Sequence, residues 1–242
     1  MTDNRNHIDI YGRNAVEEAV KAGNIRSLVT CDRGLLNRYE GKVGISYMKK
    51  KDFTDRFGIR TQGIVGFMKD FQFADLDSFL SDERQHALVM VLDHIEDPHN
   101  LGAILRNAEV FGADLVIIPE NRSVSVTPVV IKTSAGAVNH IPVCRVKNLS
   151  RVLKQLKKND FWCYGAEADG DVNIYDCDFD RKCVIVLGSE GKGISRNLRD
   201  KLDFVVRIPT YGRVNSLNVS SSAAVFLSEY RRKIKKNQVK EV

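Results

Sequence analysis

From residue 87 onward the chain alternates between two hydrophobic periods. Near-continuous apolar runs occur at ALVMVLDHI (87–95), DLVIIP (114–119), 142–146, FWCYGAEA (161–168), KCVIVLG (182–188) and FVVRIP (204–209). Between them, apolar residues recur every three or four positions. The clearest case is NLGAILRNAEVFG, with a stripe of Leu101, Ile104, Leu105, Ala108 and Phe111; an amphipathic stretch follows at 149–158 and a short one at 195–202. Continuous runs predict strands buried on both faces, and the intervening period predicts covering helices. The alternation therefore predicts an α/β fold: a mostly parallel sheet with helices on both faces.

The first 86 residues read differently. Residues 8–23 predict a short strand entering a helix, with Asn14 at the N-cap and Gly23 as the stop signal. Short β-like runs follow at 27–31, 44–48 and 63–67, with a helix over 50–57. This predicts a small αβ domain over 1–72, a helix-bearing linker over 73–86, and a main domain over 87–242. In the C-terminal helix, Val219, Ala223, Leu227, Tyr230 and Ile234 form one apolar stripe. That stripe fits packing on the helix's own core or across a twofold axis.

Composition narrows the class. Of 242 residues, 43% are hydrophobic, and no apolar run is as long as a membrane span. The N-terminus lacks the basic-then-apolar layout of a signal peptide. The five cysteines are scattered without a CxxC, which suits free thiols in a reducing cytosol and supports no metal site. A cytoplasmic protein is expected. The net charge is +6, with the excess at the two ends; residues 231–242 alone carry six Lys or Arg against one Glu. Basic ends suit a polyanionic partner, and equally a solvated tail.

In open parallel sheets, ligands sit beyond the carboxyl ends of strands. The segments just after Ile95, Leu187 and Ile208 are therefore the candidate site. In the first, Asn100 stands where an N-cap is expected, and Arg106, opposite the apolar stripe, reads as a solvated charge. The second, Leu187-Gly-Ser-Glu-Gly-Lys-Gly-Ile-Ser195, permits close backbone approach to a ligand. It is not a phosphate-binding P-loop, because Lys192 is followed by Gly193. No GxGxxG follows the first strand of the main domain. Glu190 reads as a functional carboxylate or as a loop charge. In the third, Pro209 ends the strand, and Asn215, Ser216 and Asn218 read as ligands or as turn formers and caps. Asp176, Asp178 and Asp180 imitate an EF-hand start, but Arg181 and Leu187 stand where Gly and Glu are needed. His94 and His99 flank an acidic pair without metal-ligand spacing.

Taken together, the three segments resemble the SpoU (TrmH-like) family of RNA ribose 2′-O-methyltransferases. The matching stretches are Asn100-Leu-Gly-Ala-Ile-Leu-Arg106-Asn-Ala, Val184 through Ser195, and Arg207-Ile-Pro through Asn215-Ser-Leu-Asn-Val-Ser220. Tyr11-Gly-Arg-Asn-Ala-Val-Glu-Glu-Ala and Thr61-Gln-Gly-Ile-Val-Gly66 resemble the small substrate-binding domain of the ribosomal-RNA branch. Thr61 departs from that pattern, where a His is common.

The resemblance implies a C-terminal trefoil knot, a rare exception to the usual rules of chain connection. It also implies a homodimer, S-adenosylmethionine as methyl donor and RNA as acceptor, with no membrane or metal partner. Cofactor contacts are implied for Gly188, Ser189, Glu190, Gly191, Ile208, Pro209, Ser216, Leu217 and Asn218. Catalytic roles are implied for Arg106 first, then Asn100, Glu190, Ser216 and Asn218. The acceptor it favours is a guanosine of large-subunit ribosomal RNA. Alternatives are a transfer-RNA ribose methyltransferase, a resistance enzyme acting on ribosomal adenosine, and a non-catalytic RNA-binding protein on the same fold.

Overall fold

The computed structural model describes residues 9–69 and 71–240. In the first unit, β1 (Asp9–Tyr11) leads into α1 (Arg13–Lys21). There follow β2 (Ile25–Thr30), α2 (Arg33–Tyr39), β3 (Gly44–Tyr47), α3 (Lys50–Phe57) and β4 (Ile64–Met68). The sheet order is β1-β4-β2-β3, with β4 antiparallel to both its neighbours and β2 parallel to β3. Helix α4 (Leu76–Ser81) then connects to the second unit.

The second unit begins with β5 (Ala87–Asp93), α5 (Pro98–Val110), β6 (Leu115–Pro119), α6 (Pro128–Thr133) and β7 (Val143–Val146). It continues through α7 (Leu149–Lys158), β8 (Trp162–Ala166), β9 (Val172–Asn173) and β10 (Lys182–Gly188). It ends with α8 (Arg196–Arg199), β11 (Phe204–Arg207) and α9 (Val219–Lys240). The order is β7-β6-β5-β10-β8-β11-β9, and every neighbouring pair is parallel. The expected mostly parallel α/β sheet is what forms.

The continuous apolar runs resolve into two faces. Leu88, Met90 and Leu92 of β5 join one cluster with α5 and α9, while Ala87, Val89 and Val91 join another with α7 and α8. Because side chains alternate along a strand, burial on both faces needs an apolar residue at nearly every position. All seven β5 residues are buried. The α9 stripe of Val219, Ala223, Leu227, Tyr230 and Ile234 lies in the first cluster, against the chain's own core.

That first cluster also takes in Ile10, Val16, Leu28 and Ile64, so both sheets share one apolar interior. The segment over 73–86 is docked as well. Asp75 caps α4 by accepting from Ser78 N–H at 2.8 Å, and Phe79 meets Phe161 with ring centroids 6.4 Å apart.

Some expected boundaries shift. Strands expected to run to 95, 168 and 209 stop at Asp93, Ala166 and Arg207. Asn14 is not the cap of α1: Gly12 holds that position, and the Arg13 N–H donates to Gln62 Oε1 at 2.9 Å across 49 residues. Asn100 is not the cap of α5 either. Asp97 Oδ1 accepts from His99 N–H at 2.9 Å, and Pro98 occupies the first turn, where its missing N–H costs nothing. Helices α2 and α6, capped by Asp32 and Thr127, are too short to show a helical period in sequence.

Helices α5 and α6 touch at Gly102. A Cβ there would lie 2.0 Å from Thr133 Oγ1 and 2.9 Å from the Val130 carbonyl oxygen. The second contact is backbone and cannot rotate away. Gly102→Ala is expected to destabilise the fold by about 1–3 kcal/mol through overpacking. Denaturant titration checks this, and Thr133→Ala should recover only part of the loss because the carbonyl clash remains.

Candidate active site

A cavity of about 450 Å³ opens beyond the carboxyl ends of β8, β10 and β11. Its walls come from Ala166 to Ala168 after β8, from Leu187 to Gly191 with Gly193 after β10, and from Ile208 and Thr210 after β11. Residues Asn215 to Val219 close it, with Ser222 and Phe226 of α9 behind. The lining mixes apolar side chains with amides, hydroxyls and two carboxylates, which suits a ligand with both an apolar ring and polar groups.

The loop after β10 is held from both ends. Ser189 and Gly193 exchange backbone hydrogen bonds of 3.2 and 2.9 Å, making a tight turn. Gly193 sits at φ +66°, and a Cβ there would come within 2.7 Å of Glu167 Oε2. Glu167 Oε1 accepts from the Ile194 N–H at 2.5 Å, so this carboxylate pins the loop from β8. Burial raises the Glu167 pKa above the ordinary carboxylate value, against the opposing pull of the Ile194 N–H and the Arg199 guanidinium.

A polar network joins all three candidate segments. Asn100 Nδ2 donates to Glu190 Oε1 at 3.1 Å, and Asn218 Nδ2 donates to the same oxygen at 2.6 Å. Asn218 Nδ2 also reaches Asn100 Oδ1 at 2.9 Å. The other end of Asn218 accepts from Ser220 N–H at 2.8 Å and Ser220 Oγ at 2.6 Å, capping the start of α9. Amide bonds to a carboxylate are stronger than neutral pairs, but Glu190 and Asn218 are exposed, so water competes with these and the network acts more to fix geometry than to add stability. Asn100, freed from capping by Asp97, is only 7% exposed, so losing its partners would strand a buried amide.

Of the expected cofactor residues, Gly188, Ser189, Glu190, Gly191, Ile208, Ser216, Leu217 and Asn218 line the cavity. Pro209 does not, although its neighbours Ile208 and Thr210 do. Asn100 reaches the site through Glu190 and Asn218. Arg106 is not brought there: it is exposed on α5 and unpaired among the described residues. Its neighbour Asn107 faces α9, donating to the Ser220 carbonyl at 2.9 Å. Successive helical residues turn by about 100°, which carries Arg106 off the face shared by Asn100 and Asn107. Sequence reasoning missed Glu167, because the expected strand ran through it to residue 168. Had that strand been ended at Ala166, the strand-end rule would have flagged it.

A parallel sheet with a glycine-looped cavity beyond its strand ends defines an α/β protein with a small-molecule site at the carboxyl edge. The chain belongs to the SpoU rRNA Methylase family, whose model matches residues 87–228, and is thus an RNA methyltransferase. A Staphylococcus haemolyticus protein assigned to the TrmH family of tRNA/rRNA methyltransferases is 39% identical over 238 residues, covering 93% of this chain and 96% of its own. Among solved structures, the SpoU methyltransferase AviRb of Streptomyces viridochromogenes, in complex with AdoMet, aligns with a TM-score of 0.82 at 23% identity. That alignment covers 96% of this chain and 94% of the other. A structure described as an RNA 2′-O ribose methyltransferase aligns with a TM-score of 0.79 at 23% identity, covering 96% and 91%.

The raised Glu167 pKa has a definite sign. The folded protein holds this proton more tightly than the unfolded chain, so the contribution to stability falls as pH rises from the unfolded carboxylate value through the folded one. Glu167→Gln keeps an acceptor for Ile194 without the charge. Relative to the wild type, it should gain stability as pH rises across the weakly acidic range. Glu167→Ala leaves the loop amide unpaired and should be less stable at every pH. Paired urea titrations over that range check both.

Proposed function

We propose that this protein transfers a methyl group from S-adenosylmethionine to a ribose 2′-hydroxyl of RNA, on a guanosine of large-subunit ribosomal RNA. The observation that carries the reading is the Asn100–Glu190–Asn218 network, which gathers three separate segments at one small-molecule cavity. Family membership supplies the reaction class. The first αβ unit supports a ribosomal over a transfer-RNA acceptor, because it resembles the substrate-binding domain of the ribosomal branch. The same reading takes the protein to be a cytoplasmic homodimer whose segments after β10 form a trefoil knot. No helix among the described residues is long and apolar enough to cross a membrane.

The donor set fits the cofactor. Leu187, Ile208, Leu217 and Phe226 offer apolar surface to an adenine ring, and Ser189, Thr210, Asn215 and Ser216 offer polar groups to ribose and amino-acid ends. Bound there, S-adenosylmethionine supplies an electrophilic methyl group. Glu167 and the Ser189–Gly193 turn hold the loop in shape, and Asn218 ties the third segment to it. Arg106 has another task. A guanidinium stays protonated to above about pH 12, so it makes a poor base. Its planar fork is suited to clamping a neighbouring RNA phosphate and stabilising the oxyanion that develops on the 2′-oxygen, with a phosphate oxygen taking the proton. Since it does not line its own protomer's cavity, this role has it act at the cavity of the other protomer in the proposed homodimer. Exposed, and unpaired among the described residues, it is placed to meet RNA.

Arg106→Ala should lower methyl transfer by about 10²–10⁴-fold while calorimetric titration shows cofactor binding nearly unchanged. Arg106→Lys should remain impaired, since it keeps the charge but not the fork. Near-normal turnover of Arg106→Ala would remove the residue from the mechanism. Mapping 2′-O-methylation in total RNA from a deletion strain identifies the acceptor, and loss of a mark from transfer RNA would redirect the reading.

A further inference from the structure

A second cleft, of about 640 Å³, lies on the same carboxyl edge, over β5, β6 and β7. Its lining includes His94, Arg122, Lys147 and Ser150, with Asn121 and Asn197 adding amides. No acidic side chain among the described residues lines it. Arg122 and Lys147 are exposed and without ion-pair partners among the described residues. Of the nearby carboxylates, exposed Glu120 stands between the lining residues Pro119 and Asn121 without itself lining the cleft. Asp93 is 1% exposed and already committed: its Oδ2 accepts from Ser195 N–H at 2.6 Å, and its Oδ1 meets His94 Nδ1. Two chain positions at the rim, His94 and Arg122, adopt left-handed backbone at φ +61° and +54°. Non-glycine residues there are uncommon and cost free energy unless their surroundings hold them.

The cleft neighbours the cavity along the same edge of the sheet. Strand β5 is hydrogen-bonded to β10, and the loop leaving β10 lines the cavity with Ser189 to Gly191 and the cleft with Ser195. Strands in a sheet are spaced by roughly 5 Å, so the two sites lie within a few nucleotides of one another. Among the described residues, the cleft has no aromatic ring on which a base could stack. Unopposed cations beside amides and hydroxyls, with no stacking surface, match a sugar–phosphate backbone rather than a base.

We infer that this cleft binds the phosphodiester backbone of the substrate RNA beside the nucleotide that enters the cavity, with Arg122 and Lys147 each taking a phosphate. The inference rests on the RNA methyl-transfer reading above and adds to it the path of the strand. The test uses the full chain, a fluorescent single-stranded oligoribonucleotide and protein-free ribosomal RNA. For R122A/K147A, affinity for both RNAs should fall by about tenfold or more at moderate salt. The slope of log affinity against log salt should shallow by about 1.4, as two lost single-strand phosphate contacts require. S-adenosylmethionine binding and the thermal midpoint should not change, and R122K/K147R should restore most of the affinity. Wild-type binding with an unchanged affinity and slope in the double alanine variant overturns the cleft alone. A wild type that binds neither RNA overturns both readings. A double variant that loses affinity equally in the charge-preserving swap would show a structural role and also overturn the inference.

Discussion

One carboxylate oxygen, Glu190 Oε1, holds the site together, because it accepts from both Asn100 and Asn218. The segments that meet there have little regular structure of their own. The stretch from Thr210 to Asn218 is exposed throughout and makes no strand or helix. Without internal hydrogen bonds, such a stretch takes its position from the groups it meets at its ends. Here those groups are Asn100, deep in the first turn of α5, and Glu190, at the tip of the turn pinned by Glu167. The network thus transmits the rigidity of the sheet and α5 to a loop that has none.

A second constraint works through what Asn100 does not do. Asp97 and Pro98 complete the start of α5, which leaves the Asn100 amide free to bond away from its own helix. Asp93, the last residue of β5, and Glu167, the first after β8, show the same division. Each is a carboxylate at the sheet's carboxyl edge, and each accepts a backbone N–H, Ser195 or Ile194, from the segment leaving β10. Two acids on flanking strands therefore hold consecutive amides of one connection. This explains how a glycine-containing turn keeps one shape between cavity and cleft.

Much of this was legible in the sequence, and the reasons differ by element. The parallel sheet was readable because β5, β6 and β10 are buried on both faces and so cannot hide their apolar runs. The α9 stripe was readable because five buried positions recur over four turns. The cavity followed from strand ends, and eight of the nine expected cofactor positions line it. What was not legible depended on distant partners. Gln62, just before β4, the strand beside β1, satisfies the start of α1 from 49 residues away, so local sequence pointed to Asn14 instead. Arg106 read as a surface charge from periodicity and is one in the fold; only the family resemblance gave it a role. The shared interior of the two sheets left no compositional mark, since apolar residues do not announce which neighbour they meet.

The order of strands carries a consequence for how the chain is made. Strand β10, at the centre of the second sheet, pairs with β5, which precedes it by about ninety residues. On a growing chain, β5, β6 and β7 can associate early, yet the β5 edge stays open until residues 182–188 emerge. An open edge strand that is apolar at all but its last position is a template for wrong pairing, and long-range parallel pairing is intrinsically slow. Synthesis thus passes through an interval in which half a sheet exists with its stickiest strand exposed. The cavity is among the last features to appear, because β10 is the strand that closes that interval and β11 follows it.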